Sequence, residues 1–265
     1  MSHHIVEVKD LVYNYPDATP ALNGVTFRIT HGEAVGIVGA NGAGKSTLLM
    51  HLTGCLFPGA GSVRIGDHVL TRQNLNQVRS RVGMIFQDPD DQLFMPTVFD
   101  DVAFGPLNQG VSLGEVNALV ESALERVGAR HLKHRPPYKL SGGEKRRVAI
   151  ATVLAMDPDI LVMDEPSTGL DPRARRQLIE LLKTFEHTKI IATHDLDLVL
   201  DLCERTIILH QGKVAADGKT REIFADEALL LENRLEKPLR MQGVQNGEAA
   251  IVSRKSAASG SLAHE

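Results

Sequence analysis

Between the apolar run Ala34 to Val38 and the helix-compatible run Ser46 to Leu52 lies the nonapeptide Gly39-Ala40-Asn41-Gly42-Ala43-Gly44-Lys45-Ser46-Thr47. No other segment of the chain restricts its fold as much. Gly39, Gly44, Lys45 and Ser46 have the spacing of a phosphate loop, and the order strand, turn, helix is the context such a loop needs. Glycines let the backbone curl until its N–H groups converge on phosphate oxygens. The helix that follows adds its positive end. Lys45 supplies a point charge for the β- and γ-phosphates, and the Ser46 hydroxyl can ligate Mg²⁺. A glycine-rich turn that happens to hold a lysine is the competing interpretation; the flanking strand and helix argue against it.

Strands are expected at Ile5 to Val8, Val25 to Ile29, Ala34 to Val38, Val82 to Phe86, Ile160 to Met163, Lys189 to Thr193 and Thr206 to Leu209. Helical pattern covers Ser46 to Leu52, Val98 to Phe104, Leu113 to Val127 and Glu144 to Met156. Alternating strands and helices imply an α/β fold whose mainly parallel sheet is covered on both faces. The helical block at about 97–157 is then an inserted subdomain. One domain is expected over 1–242, and the segment 243–265, rich in Gly, Ala, Ser and charge, is expected to be a disordered tail.

The charge balance, 29 Lys and Arg against 33 Asp and Glu, gives −4 and points away from a nucleic-acid partner. Two distant cysteines, Cys55 and Cys203, support neither a disulfide framework nor a structural zinc site, and the cytosol fits best. No apolar window reaches the ~18 residues of a membrane span. The start, MSHHIVEVKD, has no apolar region of a secretory signal. If the protein serves a membrane, another chain must do the spanning.

Two further segments carry chemistry. Ile160-Leu161-Val162-Met163 runs into Asp164-Glu165, which puts two carboxylates at the carboxyl edge of the sheet, where ligands bind in such folds. Alone, such a pair reads as a solvated turn; beside a phosphate loop, Asp164 suits the Mg²⁺ shell and Glu165 the attacking water. Leu140-Ser141-Gly142-Gly143-Glu144 reads as a capping box, with Ser141 as N-cap and Glu144 at the third helical position. A cap does not explain two glycines in the first turn, which cost helix stability. They leave bare N–H groups open to a second anion.

The phosphate loop, the LSGGE segment, the acidic pair and their order resemble the nucleotide-binding subunit of ABC transporters, from about residue 5 to about residue 235. The resemblance implies the ABC type of phosphate-loop fold, with an antiparallel β subdomain and an inserted helical one, and hydrolysis of ATP with Mg²⁺. It implies head-to-tail pairing with a second copy or a related ATPase, with ATP between the loop of one and the LSGGE helix of the other. Ser141, Gly142, Gly143 and Glu144 would then meet the partner's nucleotide. Gln87 matches the glutamine that senses Mg²⁺ and the attacking water. Asp171, in Ser167-Thr168-Gly169-Leu170-Asp171, matches the loop that crosses to the other subunit, and is also a good N-cap before Pro172. His194 matches the switch histidine at the γ-phosphate. Tyr15 matches the aromatic that stacks on adenine, or packs as a strand-end tyrosine. The other ten histidines fit no motif and are expected at the surface.

The linker Gln87-Asp88-Pro89-Asp90-Asp91-Gln92-Leu93-Phe94, with Asp101 to Pro106, Val12 to Asp17 and Leu235 to Leu239, is similar to the ATPase of energy-coupling-factor importers, nearest to the cobalt and nickel group. That implies an integral membrane coupling subunit, a substrate-binding membrane subunit, and a peripheral position on the cytoplasmic face of the cell membrane. Asp88, Asp90 and Asp91 are either acidic contacts for the coupling helices or a solvated turn. A vitamin importer, another ABC importer and a soluble non-transport ABC ATPase are the alternative functions. The last usually has two nucleotide domains or long coiled-coil arms.

Overall fold

The computed structural model of the protein describes residues 4–242, so the expected tail at 243–265 lies outside the described residues. In chain order the strands are β1 (His4–Asn14), β2 (Pro20–Thr30), β3 (Ala34–Val38), β4 (Ala60–Ile65), β5 (His68–Val69), β6 (Val82–Ile85), β7 (Ile160–Asp164), β8 (Thr188–Ala192), β9 (Arg205–His210) and β10 (Lys213–Lys219). The α-helices are α1 (Lys45–Leu52), α2 (Leu75–Arg81), α3 (Val98–Asn108), α4 (Leu113–Arg126), α5 (Gly142–Leu154), α6 (Pro172–Lys183), α7 (Leu196–Leu202), α8 (Thr220–Ala225), α9 (Glu227–Glu232) and α10 (Leu239–Gln242).

Two sheets organise these elements. The larger has the order β10-β9-β3-β8-β7-β6, parallel from β9 to β6 with β10 antiparallel at one edge. Its strands read as continuous apolar strings because both faces are covered. Side chains alternate between two cores: Leu161, Met163, Ile191 and Ile208 join the core that holds α3 to α7, while Ile160, Val162, Ile190 and Ile207 join the core shared with α1 and the smaller sheet. A one-residue slip would exchange the two sets, so packing fixes the register.

The smaller sheet, of order β2-β1-β4-β5, is antiparallel throughout and confirms the β subdomain. Sequence pattern had predicted only Ile5 to Val8 of β1, which continues to Asn14 because it pairs on both sides, with β2 and β4, through several irregularities. β4, β5, α2, β10 and the closing helices α8 to α10 go beyond the sequence expectations. β10, Lys-Val-Ala-Ala-Asp-Gly-Lys, has no fully buried side chain; its backbone ladder to β9 is helped by Val214 and Ala216, which pack partly on the two cores, and by the Asp217–Arg205 pair at 2.7 Å. The expected helical insert is α3 to α5, packed through Val98, Val102, Val116, Leu124, Val148 and Leu132 between them. His51 corrects the surface expectation for the motif-free histidines. It is fully buried on α1, edge-on to Tyr13, with Nδ1 2.7 Å from the Thr47 carbonyl.

Candidate nucleotide-binding and hydrolysis site

Strand order decides what meets what. Segments 39–47, 87, 164–165 and 194 are far apart in sequence, yet they follow β3, β6, β7 and β8, four neighbouring parallel strands, at their carboxyl ends. This is the edge where ligands of open parallel sheets bind.

The loop after β3 has little steric freedom. A Cβ at Gly39 would lie 2.3 Å from the carbonyl oxygen of Leu209. Gly44, the N-cap of α1, has φ 103°, in the left-handed region that glycine favours, and makes no side-chain cap. The first-turn N–H groups of α1 therefore have no side-chain acceptor, which suits an anion. Lys45 is 8% exposed, and its Nζ donates to the carbonyls of Gly39 (2.7 Å) and Ala40 (3.4 Å). Burial holds this ammonium below the ordinary lysine range, while Glu165 and Asp164 pull it back up.

Asp164 and Glu165 are both buried at the end of β7. Burial pushes the Asp164 carboxyl up; a hydrogen bond with Ser46 opposes that, Glu165 adds to it and Lys45 opposes it. Its Oδ1 is buried with no hydrogen-bond partner. Glu165 has φ 44°, a strained value for a residue with a side chain, and its N–H donates to the Ala192 carbonyl at 2.8 Å. The carboxylate thereby turns toward the end of β8. There Thr193 Oγ1 donates to Oε2 at 2.8 Å, the His194 N–H donates to Oε1 at 3.1 Å, and His194 Nδ1 lies 2.9 Å from Oε2.

Asn41 to Thr47, Tyr15, Gln87, Asp164, Glu165, Thr168 and His194 line one cleft of about 450 Å³. The Tyr15 hydroxyl hydrogen-bonds Thr47 Oγ1 at 2.8 Å, and its ring stands edge-on to Tyr13, leaving one third of the residue exposed at the cleft. Ser46, Asp164 and Gln87 offer hard oxygen donors, and the orphaned Asp164 Oδ1 fits a small divalent cation such as Mg²⁺. Among the described residues no cluster of three or more His, Cys, Asp or Glu could hold a metal. An ion here would complete its shell with phosphate oxygens and water.

The LSGGE residues stand apart. Ser141, Gly142, Gly143, Glu144, Arg147 and Asp171 line a second recess of about 330 Å³, which shares no residue with the first. The capping box is realised: the Ser141 N–H donates to Glu144 Oε2 at 2.8 Å, and the Glu144 N–H to Ser141 Oγ at 3.4 Å. The Asp171 carboxylate caps α6 by accepting from the N–H groups of Arg173 and Ala174, both at 2.8 Å. Loop 167–171 spans the two recesses, with Thr168 on the first and Gly169 to Asp171 on the second.

A phosphate loop and an acidic strand end share one cleft, and a glycine-opened helix end lies at another. The family model described as "ABC transporter" matches residues 22–168, more than half of the chain. The chain belongs to the ABC transporter family. It is an ATP-binding subunit of that family and an ATPase. A relative from Geobacter sulfurreducens, described as an ABC transporter ATP-binding protein, is 68% identical over 92% of this chain and 98% of its own length. The energy-coupling factor transporter ATP-binding protein EcfA of Methanothermobacter thermautotrophicus is 45% identical over 91% of this chain and 82% of its own. Among solved structures, cbiO1 of Clostridium perfringens, described as part of the ABC transporter complex cbiONQ, matches with TM-score 0.77 and 40% identity over 87% of this chain and 94% of that one. A dimeric ATP-binding cassette in a post-hydrolysis state bound to ADP and Pi matches with TM-score 0.73 and 29% identity over 82% and 99%.

In this ABC subunit several polar ties escape sequence reasoning. Asp195 accepts from Ser167 Oγ (3.1 Å), from both arms of Arg175 (3.0 and 3.1 Å) and from the Leu198 N–H (2.9 Å). Burial pushes its carboxyl up, but these partners outweigh burial and hold it below the ordinary value. Thr193, expected only as a strand end, orients Glu165. Nothing local in sequence distinguishes these residues; only the β7–β8 register brings them together.

Asp88, Asp90 and Asp91 of the acidic turn are all exposed. Asp90 pairs with Lys145 at 2.6 Å, and Asp88 accepts from the Asp90 N–H at 2.9 Å. Among the described residues no helix is long and apolar enough to cross a membrane.

Proposed function

We propose that this chain is the ATPase subunit of an energy-coupling-factor importer for cobalt or nickel ions. In this reading it works as a head-to-tail dimer at the cytoplasmic face of the cell membrane, beneath an integral coupling subunit and a substrate-binding membrane subunit. The observation that carries the reading is the separation of two half-sites on one protomer. The cleft of Lys45 and Glu165 and the recess of Ser141 to Gly143 share no residue, yet each offers anion-binding groups. A two-fold axis that sets one against the other completes two identical sites. The dimeric cassette among the structural relatives supports this arrangement. The names of EcfA, an energy-coupling factor transporter protein, and of cbiO1's ABC transporter complex support the energy-coupling-factor class, and the metal cargo rests on the resemblance of the linker at 87–94.

The proposed chemistry follows from charge and position. Backbone N–H groups of 39–47 and the start of α1 hold the phosphates, and Lys45 leaves the Gly39 and Ala40 carbonyls for phosphate oxygens. Ser46, Asp164 and Gln87 would hold a Mg²⁺ ion, which would supply charge neutralisation on the phosphate oxygens. Glu165, its carboxylate fixed by Thr193 and His194, orients the water for in-line attack. His194 supports the γ-phosphate, and Tyr15 packs on the base. The partner's LSGGE helix end and Asp171 loop close the other side. Positioning and electrostatics carry most of the rate.

Phe86, Phe94 and Phe104, all exposed, line a groove of about 1030 Å³ beside the Gln87 linker, and an exposed apolar groove of this size suits helices of a coupling subunit. The test is isolation in detergent with membrane proteins encoded beside it, then uptake by the reconstituted complex. The expected result is ATP-dependent accumulation of cobalt or nickel, abolished by Glu165→Gln. Uptake of a vitamin and of neither metal overturns the cargo. Failure to capture any integral membrane protein overturns the importer reading.

A further inference from the structure

Arg146 lies on α5, four residues after Gly142, and is 2% exposed. It makes no ion pair with any carboxylate among the described residues; Asp88 acts on it only at longer range. A buried guanidinium without a carboxylate is costly unless its donors are used. Here the two terminal nitrogens are used on backbone, while Nε is buried without a partner. Nη1 donates to the Phe86 carbonyl at 2.6 Å and Nη2 to the Gln87 carbonyl at 2.5 Å. The neighbouring ties join the same two elements. Lys145 Nζ donates to Asp90 Oδ1 at 2.6 Å, and Gln92 Nε2 donates to the Ala149 carbonyl (2.9 Å) and to Thr152 Oγ1 (2.8 Å). Gln92 Oε1 also accepts from the Phe86 N–H at 3.3 Å, which closes the linker on itself. Among the described residues, every side-chain hydrogen bond that leaves segment 86–92 ends on α5.

We propose that Arg146 is a positioning residue that joins the linker bearing Gln87 to the helix presenting Ser141, Gly142 and Gly143 as one body. This rests on the head-to-tail reading above. In that arrangement Gln87 serves the protomer's own ATP while the LSGGE helix serves its partner's. Arg146 then ties the sensor of one site to the phosphate-gripping element of the other, so that the two sites respond together. The planar fork matters: it holds two successive carbonyls at a fixed spacing, which the point charge of a lysine does not.

The test is Arg146→Lys in dimers mixed with Glu165→Gln protomers, where only the site built on the Glu165-bearing loop turns over. Arg146→Lys is expected to leave the melting temperature and the KM for ATP near wild type and to lower kcat about tenfold. The loss should appear whether the substitution sits on the protomer giving the active loop or on the one giving the LSGGE helix. Gln87→Ala, by contrast, should act only from the loop side. Full turnover with Arg146→Lys on the helix-giving protomer overturns the link. Should Arg146→Lys fail to fold, Gln92→Met removes the second tie and must show the same two-sided loss, and a one-sided effect overturns the proposal equally. Nucleotide-dependent dimerisation of Glu165→Gln is measured in the same samples; its absence sinks the dimer reading instead.

Discussion

Nδ1 of His194 lies 2.9 Å from Oε2 of Glu165, and that carboxylate also accepts the Thr193 hydroxyl at 2.8 Å. The acid is buried and oriented from one side, whereas the imidazole side chain is 65% exposed and can reach outward. His194→Ala should therefore lower kcat by about 100-fold with little change in the KM for ATP. Thr193→Val, close to isosteric, should lower kcat by about tenfold, because Glu165 keeps its backbone donor but loses a hydroxyl. Steady-state phosphate release at saturating ATP separates the two.

The glycines of LSGGE answer no need of the protomer itself. A Cβ at Gly142 would meet nothing within 4 Å, and one at Gly143 only the Ala174 Cβ at 3.5 Å. Both sit in the first turn of α5, where glycine costs roughly 1 kcal/mol against alanine. Gly142→Ala and Gly143→Ala should leave the melting temperature unchanged or raise it, while lowering ATPase turnover and ATP-driven dimerisation. Calorimetry paired with turnover reads both. A fall in stability with normal turnover would show that the glycines serve the fold.

Lys45 holds two loop carbonyls and exchanges them for phosphate oxygens in the proposed complex. Removing it deletes charge-assisted hydrogen bonds worth about 1.5–3 kcal/mol each. Lys45→Ala should weaken ATP binding by at least about tenfold. Titration with a fluorescent nucleotide checks this, with circular dichroism to confirm that loss of the lysine side chain leaves the fold.

Asp164 gives a pH dependence with a definite sign. Burial raises its carboxyl above the ordinary 3.8. In the window between that value and the raised one, the folded protein binds more protons than the unfolded chain. The Asp164 contribution to stability is therefore greatest below 3.8 and falls as pH rises through the window. Cation binding has the opposite trend, because a ligating carboxylate must lose its proton. MgATP affinity, measured in the Glu165→Gln background, should fall as pH drops into the window, with proton release on binding. Asp164→Asn should bind MgATP weakly and lose that limb.

What the sequence discloses follows a physical rule. Segments whose chemistry is local were legible: the loop at 39–47, the acidic end of β7 and the capping box at Ser141 and Glu144 each state their purpose within nine residues. Continuous apolar strings located the strands buried on both faces. β10 and β5 were not legible, because edge strands held by backbone pairing need no apolar pattern. Gln92, Arg146, Thr193 and Asp195 were missed as working parts because their partners are distant in sequence: 57 and 60 residues for Gln92, 59 and 60 for Arg146 and 28 for Thr193. His51 was misplaced at the surface, since a buried histidine on α1 has no signature beyond its neighbours Tyr13 and Thr47.

The most direct test of the two-sided grip is sedimentation of Glu165→Gln with and without MgATP. With such a grip the variant is a monomer without nucleotide and a dimer retaining two ATP with it, reversed to monomer by Ser141→Arg. A protein that stays monomeric while holding ATP tightly would contradict it.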